Sequence, residues 1–312
     1  MVVGRAALLR GHRQPSGRGA PRPYHIVSFG VPYKTTDDDA KLPQSIVSAT
    51  NIFLTGASTG IGLAIARELT AHGFEVWGTA RTVSRLPGLP NFHPVGMELL
   101  ETDSIRTAFP HDVPFDVLIN NAGAGVFGPL ESLPRDAVAA QFQLLVHAPL
   151  ELIRLALPPM RARGRGTIIN VTSLAVLLPI PFMAPYSAAK AALSSFTEAL
   201  RVELSNTAIR VIEVRPGDIN TTFHDATQRM DAGVDPEGQQ RVRAAWETQL
   251  RNMAAAPPPE RVARVVQRVI NDPDPPPVVT VGGFFQARVA PWGVRLLPPR
   301  LLEWGLRRYY GI

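Results

Sequence analysis

The amino-acid sequence predicts an α/β fold: one doubly wound parallel sheet of about seven strands with helices on both faces. Three observations carry that expectation. From residue 51 onward, short apolar runs alternate with stretches of helical periodicity. The runs are apolar throughout rather than alternating, as strands covered on both faces must be. The first run ends in a glycine-rich turn that opens directly into a helix.

NIFLT (51–55) reads as the first strand, and the apolar spacing of IGLAIARELTAHG (61–73) predicts a helix stopped by Gly73. FEVWGTAR (74–81) is the second strand, NFHPVGMEL (91–99) a weaker third, and SIRTAF (104–109) a short helix. FDVLINNAG (115–123) is a strand with its turn. One long helix is expected over 136–164, closed by Gly164. GTIINVTS (166–173) is a strand, 184–204 a long helix, and IRVIEVRPG (209–217) a strand running into a Pro-Gly turn. Residues 218–258 lose the strand pattern and read as a mostly helical insertion, with a substrate lid over about 218–256. A helix (260–271) and an edge strand within PPPVVTV (275–281) follow. Nothing after residue 51 reads as an interdomain linker, so 51–312 is expected to be one domain.

Of 312 residues, 45% are hydrophobic and 19% charged, which is a globular composition. There is no cysteine. A disulfide scaffold, a thiol nucleophile and a Cys-ligated metal are excluded, and no metal site is expected. No apolar run reaches the length of a spanning helix. The net charge of +6 sits at the ends: residues 1–50 carry +4 and 291–312 carry +3, which leaves the body at −1. A nucleic-acid groove would place its charge on the folded body, so no nucleic-acid partner is expected.

Residues 1–50 are rich in Gly, Pro and Arg and read as a disordered or artefactual extension. A cytoplasmic location is expected. The alternatives are a peripheral membrane location and an organelle, the latter because no acidic residue precedes Asp37 and the stretch then resembles a transit peptide.

In LTGASTGIG (54–62), Gly56, Gly60 and Gly62 allow a tight turn and close approach of the backbone to a pyrophosphate. The following helix offers free N–H groups to the same anion. Sites that prefer NAD place a carboxylate about 20 residues further on, to hold the ribose hydroxyls. Here that position is Ala80, followed by Arg81. A guanidinium recognises a 2′-phosphate, so NADP, as NADPH, is expected over NAD, with NAD left open.

Tyr186 and Lys190 lie four apart on an expected helix and share one face. A nearby ammonium is expected to lower the phenol pKa toward use as an acid or base. Ser173 ends the preceding strand, 13 residues before Tyr186, where its hydroxyl could hold a substrate oxygen.

T-G-x-x-x-G-I-G, NNAG (120–123) and NVTS…PYSAAKAAL together resemble the short-chain dehydrogenase/reductase family, whose fold is of the Rossmann type. The resemblance implies that Ser173, Tyr186 and Lys190 form a catalytic triad. Tyr186 would exchange a proton with the substrate oxygen, Lys190 would tune the tyrosine and bond the nicotinamide ribose, and Ser173 would orient the substrate. It implies a cofactor site built from Thr55, Gly56, Ser58, Gly60, Ile61, Gly62 and Arg81. Asn120 would steady the sheet within that site, and Ala122 and Gly123 would lie against the adenosine ribose. Pro216, Gly217, Ile219 and Thr221 would border the nicotinamide. Glu98 stands where the family usually has an adenine-contacting Asp.

One position departs from the family. Leu145 stands where an Asn often anchors a water near the lysine, and His147, two residues on, points elsewhere on a helix. Two functions stay open: an NADP(H)-dependent oxidoreductase, or a dinucleotide-binding sensor or scaffold without turnover.

LLPIPFM (177–183) would line the pocket mouth. The tail RLLPPRLLEWGLRRYYGI (295–312) is amphipathic and resembles the branch holding hydroxysteroid, retinol and acyl-dihydroxyacetone-phosphate reductases. That branch implies a small lipophilic carbonyl or alcohol as substrate. For the tail, three readings stand: a cap on the pocket or on a homo-oligomer interface, a contact with an anionic membrane surface, or a solvated helix with its Trp packed inward.

Overall fold

The structure, a computed structural model, describes residues 50–230, 235–289, 293–294 and 296–312. The expectations for the N-terminal extension fall on 1–49, outside the described residues.

Seven parallel strands form the central sheet: β1 (Asn51–Leu54), β2 (Glu75–Ala80), β3 (Phe92–Gly96), β4 (Val117–Asn120), β6 (Gly166–Val171), β7 (Ile209–Pro216) and β9 (Val278–Val281). Their order across the sheet is β3-β2-β1-β4-β6-β7-β9. The chain thus moves outward from β1 in one direction and then resumes with β4 on the other side, which makes a topological switch point beyond the ends of β1 and β4.

The strands read as continuous apolar runs because each feeds two cores. On β1, Ile52 and Leu54 join one cluster while Phe53 joins the other. Ile119 and Leu118 divide in the same way on β4, as do Ile169 and Ile168 on β6. One face is covered by α1 (Gly60–Ala71) and α7 (Glu260–Asn271), which pack on each other. Helix α7 brings Val262, Val265, Val266 and Val269, a stripe at helical spacing. The other face takes α2 (Thr102–Ala108), α4 (Ala148–Arg163) and the C-terminal part of α5 (Ala184–Glu203). A third cluster lies beyond the strand ends and joins Phe127, Leu145, Met183, Tyr186, Val242 and Ala245.

One expectation needs correction and a second needs detail. The helix expected over 136–164 is divided into α3 (Arg135–Phe142), a π turn at Gln143–His147, and α4. Pro149 has no N–H to give the Leu145 carbonyl four residues back, so the regular ladder cannot run through. The insertion after β7 is not only helical. It holds β8 (Thr227–Arg229), paired in parallel with β5 (Gly125–Phe127), before α6 (Pro236–Ala254). The last described helix, α8 (Pro299–Tyr310), packs against α6. No helix among the described residues is long and apolar enough to cross a membrane.

Candidate active site

A cavity of about 1580 Å³ opens where the strand ends, the insertion and α8 meet. Its first wall is the turn after β1. Gly56 sits at φ +71°, the left-handed region where a side chain is strained, and its α-carbon faces Ala122 at the end of β4. Thr55 fastens the two strand ends: its Oγ1 accepts from the N–H of Asn121 (2.9 Å) and of Ala122 (3.0 Å). Thr59 precedes α1 without a side-chain cap, and no acidic residue occupies the first turn. The helix N-terminus therefore presents free N–H groups and a positive dipole end to the cavity.

Arg81 and Arg85 stand on the lining beyond β2, both exposed. An uncapped helix start at one point and guanidinium groups further along form a donor set that fits a phosphorylated dinucleotide.

Of the residues expected at the cofactor, Gly56, Ser58, Gly60, Ile61, Gly62, Arg81, Glu98, Ala122, Gly123, Tyr186, Lys190, Pro216, Gly217, Ile219 and Thr221 all line this cavity. Thr55 and Asn120 do not. Both are buried behind it, and Asn120 Nδ2 donates to Asn170 Oδ1 at 2.8 Å, which ties β4 to β6. Asn121, which the sequence reading passed over, is on the lining instead. Glu98 Oε1 accepts from the Leu100 N–H at 3.0 Å, so this carboxylate braces its own loop.

The second wall carries Ser173, Tyr186 and Lys190. Ser173 follows the end of β6, and its Oγ accepts from the Ala175 N–H at 3.1 Å. Tyr186 and Lys190 rise from the first turns of α5 and are 8% and 4% exposed. Lys190 Nζ donates to the Val171 carbonyl at 2.7 Å and stands 5.9 Å from the Tyr186 ring centre. Burial lowers the Lys190 ammonium to about 8, against an upward pull from Glu213.

The expected lowering of the Tyr186 pKa is not what the site does. Burial pushes the phenol up to about 12, the hydrogen bond with Ser173 works the other way, and Asp218 adds to the rise. The ammonium does not offset the lost hydration, and one of its three N–H groups is given to the Val171 carbonyl. At neutral pH the phenol keeps its proton, and the rise makes it a weaker acid than a free tyrosine.

Other site residues were missed. Glu213, 1% exposed, accepts from Thr172 Oγ1 (2.6 Å), Ser194 Oγ (3.0 Å) and Arg215 Nε (2.7 Å) beneath Lys190. The period of two in IRVIEVRPG puts Glu213 and Arg215 on one face and was the available signal. Leu145 is 1% exposed and stands over Gly123 beside Lys190, whereas His147 is exposed. Asp218 lines the same cavity.

Leu178 and Ile180 of the 177–183 segment line the cavity, as do Phe223, Met230 and Met253 of the insertion. Helix α8 turns Leu302, Leu306 and Tyr310 toward the same space. Its other face exposes Trp304 with Arg300, Arg307 and Arg308.

Comparison with known proteins agrees with this architecture. Residues 50–232 match the family described as short chain dehydrogenase. The chain is 30% identical over 272 residues to a 3-ketodihydrosphingosine reductase of Bacteroides thetaiotaomicron, a match covering 84% of this chain and 98% of that protein. A short-chain dehydrogenase of Streptomyces avermitilis superposes with a TM-score of 0.70 at 27% identity, covering 83% of this chain and 97% of the other. Serine dehydrogenase complexed with NADP+ superposes with a TM-score of 0.66 at 25% identity, covering 77% and 97%. The chain belongs to the short-chain dehydrogenase family, and with it to the NAD(P)-dependent oxidoreductases.

Proposed function

We propose that the chain is an NADP(H)-dependent oxidoreductase that interconverts a carbonyl and an alcohol on a small lipophilic substrate, with 51–312 as its single domain. The observation that carries this reading is the buried Tyr186 phenol facing a cavity that it shares with Ser173 and Lys190. The apolar side chains of that cavity favour a lipophilic partner through buried area. The likeness to a 3-ketodihydrosphingosine reductase supports the same class.

When bound, the nicotinamide dinucleotide supplies the hydride. The Gly56–Gly62 turn and the first turn of α1 would hold its pyrophosphate, and Arg81 its 2′-phosphate. Ser173 Oγ would hold the substrate oxygen beside Tyr186. The Tyr186 hydroxyl would give that oxygen a proton in reduction and take one in oxidation. Lys190, as an ammonium, would stabilise the phenolate left behind.

The test is oxidation of NADPH and of NADH across long-chain ketones and aldehydes, with Tyr186→Phe as the control. Turnover with NADPH is expected, with a loss of about 10²-fold or more in the variant. The buried Leu145 beside Lys190 favours a second reading, a dinucleotide-binding sensor. Tight NADPH binding with no turnover of any carbonyl would select it.

A further inference from the structure

We propose that Asp218 recognises a protonated amine, so that the preferred substrate is an amphiphile carrying an ammonium group close to its reacting carbonyl. The proposal rests on the oxidoreductase reading above and names its substrate class.

The fold sets Asp218 beside the reacting groups. Strands β6 and β7 pair with Val171 opposite Val214, so Ser173 leaves the sheet next to Pro216. Adjacent strands stand about 4.8 Å apart. Asp218 lies two residues further along, past Gly217, whose α-carbon faces Leu174. Asp218, Ser173 and Tyr186 all line the same cavity, and the Asp218 charge is felt at the Tyr186 phenol.

The carboxylate is held in place. Gln286 grips the residue at two points: its Oε1 accepts from the Asp218 N–H at 2.9 Å, and its Nε2 donates to Asp218 Oδ2. That grip fixes the carboxylate plane and engages one of its two oxygens.

None of the ion pairs among the described residues includes Asp218. Lys190 is turned to the Val171 carbonyl above Glu213. Among the described residues, the one titratable neighbour that draws the carboxylate down is His224, whose own pKa burial lowers. The cavity that Asp218 lines carries apolar Leu174, Ile180, Phe223, Leu302 and Leu306 together with the Tyr186, Tyr309 and Tyr310 phenols, which its charge reaches. Burial raises the Asp218 pKa, as it does for a carboxylate without a cation. An anion in such a place is costly unless a ligand brings the opposite charge. A ligand with an ammonium restores the pair, and its alkyl part covers the apolar wall. A neutral analogue leaves the half-buried carboxylate without a cation from the ligand, which is how a polar group in a pocket rejects the wrong ligand.

The experiment compares two long-chain ketones with the full chain and NADPH: 3-ketodihydrosphingosine, with an amine next to the carbonyl, and the matched ketone with a hydroxyl in place of that amine. The wild type is expected to favour the amine by about 30-fold in kcat/KM, and Asp218→Asn to reduce that ratio below about 3. Gln286→Leu, which keeps the carboxylate and frees it, is expected to cut the ratio at least about threefold. A binding arm uses dodecylamine against 1-dodecanol, read as thermal shift of the NADPH-loaded protein. There the amine is expected to stabilise the wild type more, and Asp218→Asn to erase the difference.

No preference in the wild type, or a ratio retained in both variants, overturns the proposal. If neither ketone is turned over, the oxidoreductase reading falls, and the dodecylamine arm alone decides the role of Asp218.

Discussion

The Leu145 side chain and the Lys190 ammonium stand over the same point of the backbone: a Cβ on Gly123 would lie 3.5 Å from Leu145 Cδ2 and 4.0 Å from Lys190 Nζ. Both side chains are buried, and burial, which withholds hydration from the cation, is the source of the lowered Lys190 pKa. With an ammonium that titrates near 8, activity that needs the charged form falls as pH rises through that value. Leu145→Asn restores a polar neighbour, favours the charged form and moves this limb upward by about 0.5 pH or more. The profile of kcat/KM against pH for NADPH oxidation measures it. An unmoved limb would show that Leu145 does not set the lysine.

Much of this site could be read from residue order because it hangs on regular elements. Ser173, Tyr186 and Lys190 follow from one strand and one helix whose periodicities are plain, and the glycine turn from its spacing. What escaped depends on distance in space. β5 and β8 are three residues each and pair across about a hundred positions, too short to show a period. The break in the long helix was legible at Pro149 but is also compatible with a continuous helix. The direction of the Tyr186 shift escaped for another reason: spacing reveals a neighbouring charge but not how completely the fold removes water.

Arg81 tests cofactor choice. It is exposed, so its interaction with a phosphate is screened and moderate. Arg81→Ala is expected to lower kcat/KM with NADPH about tenfold and to leave NADH within about twofold. Arg85 lines the same lip, so the double variant with Arg85→Ala should lose more and flatten the salt dependence with NADPH. Equal losses with both nucleotides would remove Arg81 from phosphate recognition.

Glu213→Gln removes one half of a buried pair and leaves the Arg215 guanidinium, its side chain 16% exposed, without its carboxylate. Breaking such a pair costs about 3–5 kcal/mol, or roughly 10 °C in melting temperature for a domain of this size. The same change takes away the charge that holds the Lys190 pKa up, so the alkaline limb of activity should move below 8. A calorimetric melt and a pH profile of the one variant check both effects. A lower melting temperature with an unshifted limb would confine Glu213 to a structural role.

Gly62→Ala and Gly73→Ala separate a close approach from a mere conformational preference. A Cβ on Gly62 would stand 2.0 Å from the Gly56 carbonyl oxygen and 2.6 Å from Asn121 Nδ2, and the first of these is backbone that cannot swing aside. The turn that presents α1 to the cavity would have to open. The expected cost is about 3 kcal/mol or more, together with loss of NADPH binding, since the opened turn no longer aims the helix N–H groups at the pyrophosphate. Gly73 lies at φ +80° at the end of α1, and a Cβ there meets nothing within 4 Å. Its replacement costs only the left-handed strain, about 1–2 kcal/mol, and NADPH should bind as before. Thermal melts and nucleotide titrations of the two variants side by side decide the matter. Equal melting temperatures, or intact NADPH binding in Gly62→Ala, would mean that the turn tolerates a side chain and that its glycines are not what brings the backbone close to the phosphate.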